Sequence, residues 1–286
     1  MRLKTAVFST FLIALFSGFT GSEKTELAIE RVRSLFLSTQ NIQTLSYKFY
    51  REERINGKMV KNHSEVKMQR LPYKVYIRET FPNDGLEVLY PTTLDDGKAL
   101  INPNGFPWVN LRLDPEGILM RRNQHHTVMD GGFDYIVSVM EYTFYKHKGK
   151  IDGMIEYEGT TIFDNQDCDV ISISNPDYRY INHVVSRGES VSSIAAKFRL
   201  NEYLILDKNE GLGLSDDLDK GQLLKIPSDY AKLIRIYIDQ EKQVPLMMEV
   251  FDEKGLFEKY EFTDVKINPT IKDLEFTATY AHYNFN

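Results

Sequence analysis

The sequence predicts an α+β protein: a strongly curved antiparallel sheet with covering helices, plus a small βααβ unit inserted between two of its strands. Three observations predict it. Short runs of alternating apolar and polar residues recur along most of the chain, each closed by turn chemistry such as Asn56-Gly57 or Asp114-Pro115-Glu116-Gly117. Helical spacing marks only two long stretches outside the insertion, so the strands are not separated by the crossover helices that a parallel sheet requires. Between residues 181 and 228 the pattern becomes strand, helix, helix, strand in fewer than fifty residues. The 17 Tyr and 17 Phe in 286 residues suit such a sheet-rich chain.

The elements follow in order. Residues 1–22 read as a secretory signal: Arg2 and Lys4 precede an apolar run from Ala6 to Phe16, and small residues from Ser17 to Ser22 offer a cleavage site. The run is too short for an ordinary membrane span, and no cysteine stands near the cleavage region to be acylated. The mature chain is expected to be soluble; an uncleaved anchor is the alternative. Thr25 to Thr39 forms an amphipathic helix with Ile29, Val32 and Phe36 on one face. A hairpin follows, with Tyr47 and Phe49 alternating before Asn56-Gly57 and Val66 and Met68 after it. Further strands are expected over 74–79, 86–90, 98–102 and 108–113, each ended by a Pro-, Asp- or Gly-rich turn. Gly131-Gly132 opens a second helix whose Phe133, Ile136, Val137, Met140 and Phe144 recur at helical spacing. Strands resume over 154–163 and 168–174, and after the insertion over 232–239, 246–251 and 257–265. The ends of a βααβ unit lie together, so the strands flanking the insertion, 170–174 and 233–238, should pair. The parent domain is then discontinuous: 23–180 joined to 229–286.

Composition narrows the function. Loss of Arg2 and Lys4 with the signal takes the formal charge from −6 to −8, which argues against nucleic acid or anionic lipid headgroups as general partners. Cys168 is the one cysteine, so no internal disulfide forms, and its strand-like surroundings make it a small buried hydrophobe. Metal and catalytic patterns are poor. His125-His126 with Asp130 is the one clustered pair; adjacent histidines on a strand face opposite ways and would not converge on one ion unless a loop held them, so structural or surface polar roles are expected. Glu52-Glu53-Arg54 reads as a solvated strand face with ion pairing. No nucleophile elbow, zinc-protease helix or phosphate loop is present. No metal, cofactor or enzymatic activity is expected.

The insertion carries the most specific pattern. A β run enters the turn at Gly188-Glu189-Ser190-Val191, a helix presents Ile194, Ala195 and Phe198, and a second carries Tyr203, Leu204 and Leu206. Asn209 follows, and Gly221-Gln222-Leu223-Leu224-Lys225-Ile226-Pro227 closes the unit. This resembles the LysM module, which binds N-acetylglucosamine-containing glycans such as peptidoglycan and chitin; the usual Gly-Asp-Thr-Leu is replaced here by Gly188 to Val191. The resemblance implies a shallow groove with Gly188, Glu189, Ser190 and Val191 on one wall. Asn209, Glu210, Gly211 and Leu212 form the other wall, with Ile226 and Pro227 nearby.

The remaining chain carries a second resemblance. Glu53-Arg54-x-x-Gly57, Lys67-x-x-Arg70-x-Pro72-x-x-Val75-Tyr76 and Gly85-x-Glu87-Val88-x-Tyr90 look like an uncharacterised bacterial envelope family that shares the fold of LolA, the periplasmic lipoprotein carrier. His126 with Asp130-Gly131-Gly132-Phe133 fits the same family, and Ile238-Asp239 with Val244-Pro245-Leu246 and Asp252-x-x-Gly255 fits the C-terminal hairpin of LolA-like proteins. The resemblance implies a half-open barrel enclosing an apolar cavity for acyl chains. Tyr47, Phe49, Val66, Met68, Val75 and Ile77 from the sheet, with Phe133, Val137 and Met140 from the helix, would line it. The alternative is that these alternating apolar residues build a filled core, as they usually do in an antiparallel sheet. The expectation is a non-enzymatic protein of the periplasm or cell envelope that binds peptidoglycan and takes a lipid or lipoprotein acyl chain. A scaffold with a filled core that docks proteins, or an unrecognised cell-wall hydrolase, are the alternatives.

Overall fold

The computed structural model describes residues 21–91 and 97–285. The expected signal lies outside them, apart from Gly21 and Ser22, and so does most of the turn at 95–97. Among the described residues no helix is long and apolar enough to cross a membrane.

Helix α1 (Gly21–Gln40) buries Ala28, Val32, Leu35 and Thr39, one stripe at three- and four-residue steps. Strands β1 (Thr44–Ile55) and β2 (Lys58–Gln69) pair from Thr44 opposite Gln69 to Ile55 opposite Lys58. Both turn residues, Asn56 and Gly57, have positive φ, the geometry that makes Asn-Gly the favoured two-residue hairpin. Strands β3 (Lys74–Phe81), β4 (Glu87–Tyr90), β5 (Ala99–Asn102) and β6 (Leu111–Leu113) continue the meander. The last is shorter than the expected 108–113, because Trp108 turns out of line at φ +63° and its N–H closes a turn on the Gly105 carbonyl at 2.6 Å. A short helix α2 (Ile118–Arg121) that hydrophobic periodicity did not reveal follows, then α3 (Asp134–Lys146).

Strands β7 (Ile155–Phe163) and β8 (Gln166–Ser174) precede the insert, which comprises β9 (Tyr180–Val184), α4 (Val191–Phe198), α5 (Glu202–Leu206) and β10 (Leu223–Pro227). The chain then completes β11 (Leu233–Asp239), β12 (Pro245–Asp252) and β13 (Gly255–Ile267). Eleven strands form one open antiparallel sheet in the order β6-β5-β4-β3-β2-β1-β13-β12-β11-β8-β7, while β9 and β10 pair separately. The strands flanking the insert are neighbours, from Cys168 opposite Asp239 to Ser174 opposite Leu233.

One face of the sheet packs under α1 and α3, with Leu35, Leu45, Met140 and Ile236 fully enclosed. Truncating one of these large side chains to alanine costs about 2–5 kcal/mol. The opposite face over β3 and β4 is covered by the C-terminal tail, where the Tyr283 ring stacks on Tyr76 at 3.6 Å and Phe276 and Phe285 pack beside them.

Candidate functional site

Under α2 and the start of α3 the sheet encloses a cavity of about 290 Å³. Its lining is graded by strand register. One row across the strands is Tyr47, Val66, Ile77, Val88 and Ile101, each opposite the next. Two residues further along β1, Phe49 lies opposite Ser64 and Phe262, and Ser64 opposite Glu79. Another step brings Arg51 opposite Asn62 and Tyr260. Glu53 follows, opposite Glu258. All of these except Glu258 line the cavity. Because side chains alternate along a strand, every second residue projects inward, and the sequence of β1 itself sets an apolar-to-charged gradient.

Of the residues expected to line a cavity, Tyr47, Phe49, Val66 and Ile77 do so. Met68 and Phe133 instead face a cleft of about 20 Å³ beside Leu45. Val75, Val137 and Met140 are buried in the main core and line neither space. The α3 side contributes Tyr135 and Ile136, and the Gly131-Gly132 corner closes that end. Gly132 has φ +76°, and a Cβ there would meet the Met68 sulfur at 2.6 Å, so a side chain fits neither the backbone nor the space.

The charged end corrects one expectation. Glu53 and Arg54 are buried, not solvated. His125 and His126 both reach Glu258, which is fully enclosed: His125 Nδ1 lies 2.7 Å from Oε2 and His126 Nε2 lies 3.5 Å from it. They converge because a loop, not a strand, carries them. The Tyr230 hydroxyl donates to Glu258 Oε1 at 2.6 Å, and the Tyr260 hydroxyl sits 2.9 Å from Glu53 and 3.0 Å from Glu258. Burial works to raise the Glu258 carboxyl, but the bonds from His125 and His126 outweigh it and hold the group well below the usual carboxylate range. Burial likewise works to lower His126, and Glu258 and Asp130 outweigh it, leaving the imidazole above its ordinary value. A carboxylate held so firmly as an anion is a poor proton donor. Among the described residues, no group of three or more His, Cys, Asp or Glu side chains is placed to hold a metal ion.

The insert places its two expected loops on its own strand pair. Glu189 folds back: Oε2 accepts from the Ser186 N–H and His183 Nε2, both at 2.8 Å, and Oε1 accepts from Lys197 at 2.9 Å. The Ser186 N–H, then His183 and Lys197, push its carboxyl down to about 2. Ser190 caps α4 in a reciprocal pair with Ser193, and Val191 is buried. Asn209 Nδ2 donates to the carbonyls of Ile205 at 2.7 Å and Lys225 at 2.9 Å, while Oδ1 accepts from the Lys225 N–H at 2.9 Å. His183 faces Leu224 in the strand pair, so the loops are anchored to neighbouring positions. Gly188, Ser190, Glu210 and Gly211 are exposed, Leu212 is half-buried, and Ile226 and Pro227 are buried beneath.

A feature invisible in the sequence joins the insert to the cavity. Along residues 120–126, Met120, Arg122, Gln124 and His126 line the cavity, while the odd residues meet the insert. Arg121 binds Ser192 Oγ at 2.9 Å and pairs with Glu202. The Asn123 N–H donates to the Tyr203 hydroxyl at 2.9 Å, and the His125 ring stacks between Phe257 and Tyr203, with centroids 4.2 and 5.3 Å away. Lys254 pairs with Asp207 at 3.0 Å, and Lys208 with Glu253. Tyr203 and Leu204 belong to the parent core, whereas Ile205 belongs to the insert's own.

Residues 42–183 and 220–285 match the family model described as Protein of unknown function (DUF1571), and residues 183–227 match the LysM domain. No curated protein matches the chain. Among solved structures it is similar to the lipoprotein LppX of Mycobacterium tuberculosis, at 10% identity and a TM-score of 0.42, over 86% of this chain and 98% of that one. A DUF1329 family protein from Desulfovibrio piger is similar at 10% identity and a TM-score of 0.34, over 89% and 97% of the two chains. A LolA superfamily protein from Nitrosomonas europaea is similar at 11% identity and a TM-score of 0.31, over 87% and 97%. These likenesses concern the path of the chain and imply nothing about ligands. With the family model matched over more than half of its length, the chain belongs to the DUF1571 family and carries a LysM domain between two neighbouring strands of its sheet.

Proposed function

We propose that this protein is a non-enzymatic component of the cell envelope that holds an amphiphile, a lipid or the acyl chain of a lipidated protein. Its LysM domain attaches it to N-acetylglucosamine-containing glycan such as peptidoglycan. The observation that carries the reading is the graded cavity: an apolar row from Tyr47 to Ile101 passes within two strand steps into Arg51, Asn62 and Tyr260. A wholly apolar core needs no such gradient, whereas a molecule with a tail and a head matches it. The glycan part is supported by the LysM match and by loops that stay exposed, since the contacts with the parent sheet use Ser192, Glu202, Tyr203, Asp207 and Lys208 instead.

The purified protein should sediment with insoluble peptidoglycan and be released by soluble N-acetylglucosamine oligomers. Glu210→Trp, which fills the exposed loop without touching the folded core, should leave it in the supernatant. Native mass spectrometry of protein isolated from a bacterial envelope should show a co-purifying amphiphile lost on delipidation. Failure to sediment would remove the glycan half of the reading. A folded protein that carries no amphiphile and takes none up from detergent-free lipid would remove the other half.

A further inference from the structure

At the polar end of the cavity each carboxylate already accepts a hydrogen bond, while several donors make none. Glu53 accepts from the Tyr260 hydroxyl at 2.9 Å and the His125 N–H at 3.2 Å. Glu79 accepts from the backbone and side-chain nitrogens of Asn83, both at 2.9 Å, and Asp130 accepts from the Thr127 N–H at 2.9 Å. Two guanidinium groups that also line the cavity are not so engaged. Arg51 has a side chain 19% exposed, makes no side-chain hydrogen bond among the described residues, and has Glu53 at 3.9 Å as its ion-pair partner. Arg122 lines the cavity and has neither a hydrogen bond nor an ion pair from its side chain among the described residues. Among the described residues the buried side chains of Asn62 and Ser64 make no hydrogen bond either.

Arg51, Arg122 and the His126 imidazole face the cavity together with the carboxylates of Glu53, Glu79 and Asp130, so both signs are present. Selectivity therefore follows from which groups make no hydrogen bond. A guanidinium with free N–H groups matches the oxygens of a phosphate or carboxylate, in bonds about twice as strong as neutral ones. An ammonium head would instead meet carboxylates that each already accept at least one hydrogen bond. We propose that the cavity selects amphiphiles whose head is an oxyanion, seated on Arg51 and Arg122, with the tail along the row from Tyr47 to Ile101. This rests on the amphiphile reading above and adds to it the charge of the head and the direction in which the ligand lies.

The test is displacement of a fluorescent alkyl-chain probe by decyl phosphate, decanol, decyltrimethylammonium and inorganic phosphate. Decyl phosphate should compete at a concentration about tenfold lower than decanol, as one charge-assisted contact allows. Arg122→Gln, an exposed change, should shrink that gap, and Arg51→Gln with Arg122→Gln should close it, with decanol competing as before. A folded wild type that takes decanol or the ammonium as well as the phosphate overturns the proposal while leaving the amphiphile reading intact. So does a preference that survives both substitutions. Displacement by inorganic phosphate at the concentration effective for decyl phosphate overturns it in favour of a free-anion site. If none of the three decyl compounds competes, the proposal and the amphiphile reading fail together.

Discussion

Asn209→Ala should destabilise the LysM domain whether or not glycan is present. The side chain makes three hydrogen bonds, at 2.7, 2.9 and 2.9 Å, that tie the loop after α5 to strand β10. At about 1 kcal/mol net for each bond, less a discount because the site is half-exposed, the loss is roughly 2–3 kcal/mol. For a chain of this length that lowers the melting temperature by about 4–12 °C. Circular dichroism melts give the shift, and hydrogen exchange localises it: the Lys225 N–H, whose acceptor is Asn209 Oδ1, should lose protection first. An unchanged melt with a slow Lys225 amide would refute the reasoning and return Asn209 to the role of a direct glycan contact. Loss of sedimentation in this variant does not by itself report a glycan contact, so Glu210→Trp is the better probe.

Alkyl phosphates should bind about fourfold more tightly per added methylene and level off near ten carbons, since 290 Å³ holds about ten water-sized groups; calorimetry showing a steady gain beyond sixteen carbons would contradict the cavity's size. Glu258→Ala leaves Tyr230, Tyr260 and two histidines without their shared buried acceptor, and should cost about 3–5 kcal/mol in urea unfolding. Glu189 has a folded value of about 2 against an ordinary 4.5, so its contribution is present above pH 4.5 and is lost as pH falls toward 2. Melts of wild type and Glu189→Gln should therefore converge as pH falls through that window; a constant difference would sink the assignment. Burial, with Asp239 nearby, pushes the Cys168 thiol up to about 11, so it should react with a thiol reagent at pH 8 only on unfolding.

Most of the sheet was legible because one face of each strand is buried and alternation records that. The Asn56-Gly57 turn fixed the register of the first hairpin, and the insert was recognisable from Gly188 to Pro227. Alternation assigns a face but not a level along the strand. Val75 and Met68 share the inward face with Ile77 and Val66, yet lie one row nearer the sealed end. The buried network was hidden for a different reason. Glu53 and Arg54 look like a solvated pair, and Glu258, which converts His125 and His126 into a buried cluster, lies more than a hundred residues away in sequence. A possible signal was the inward row Glu258, Tyr260, Phe262, in which a carboxylate stands where an apolar residue is expected. Nor could the sequence distribute α5 between two cores, because Tyr203, Leu204 and Ile205 all read as the insert's own.

The arrangement of the insert also determines how the molecule carries load. Its two connections leave adjacent ends of β8 and β11, where Ser174 faces Leu233. Tension applied there alone would open that strand pair like a zip, meeting one hydrogen bond after another. The contacts of Arg121 with Ser192 and Glu202, and of Asp207 and Lys208 with the turn between β12 and β13, give the force two further routes into the sheet. A molecule pulled by its LysM domain is thus dragged through three sets of contacts, and the strand pair at its root is spared the full tension.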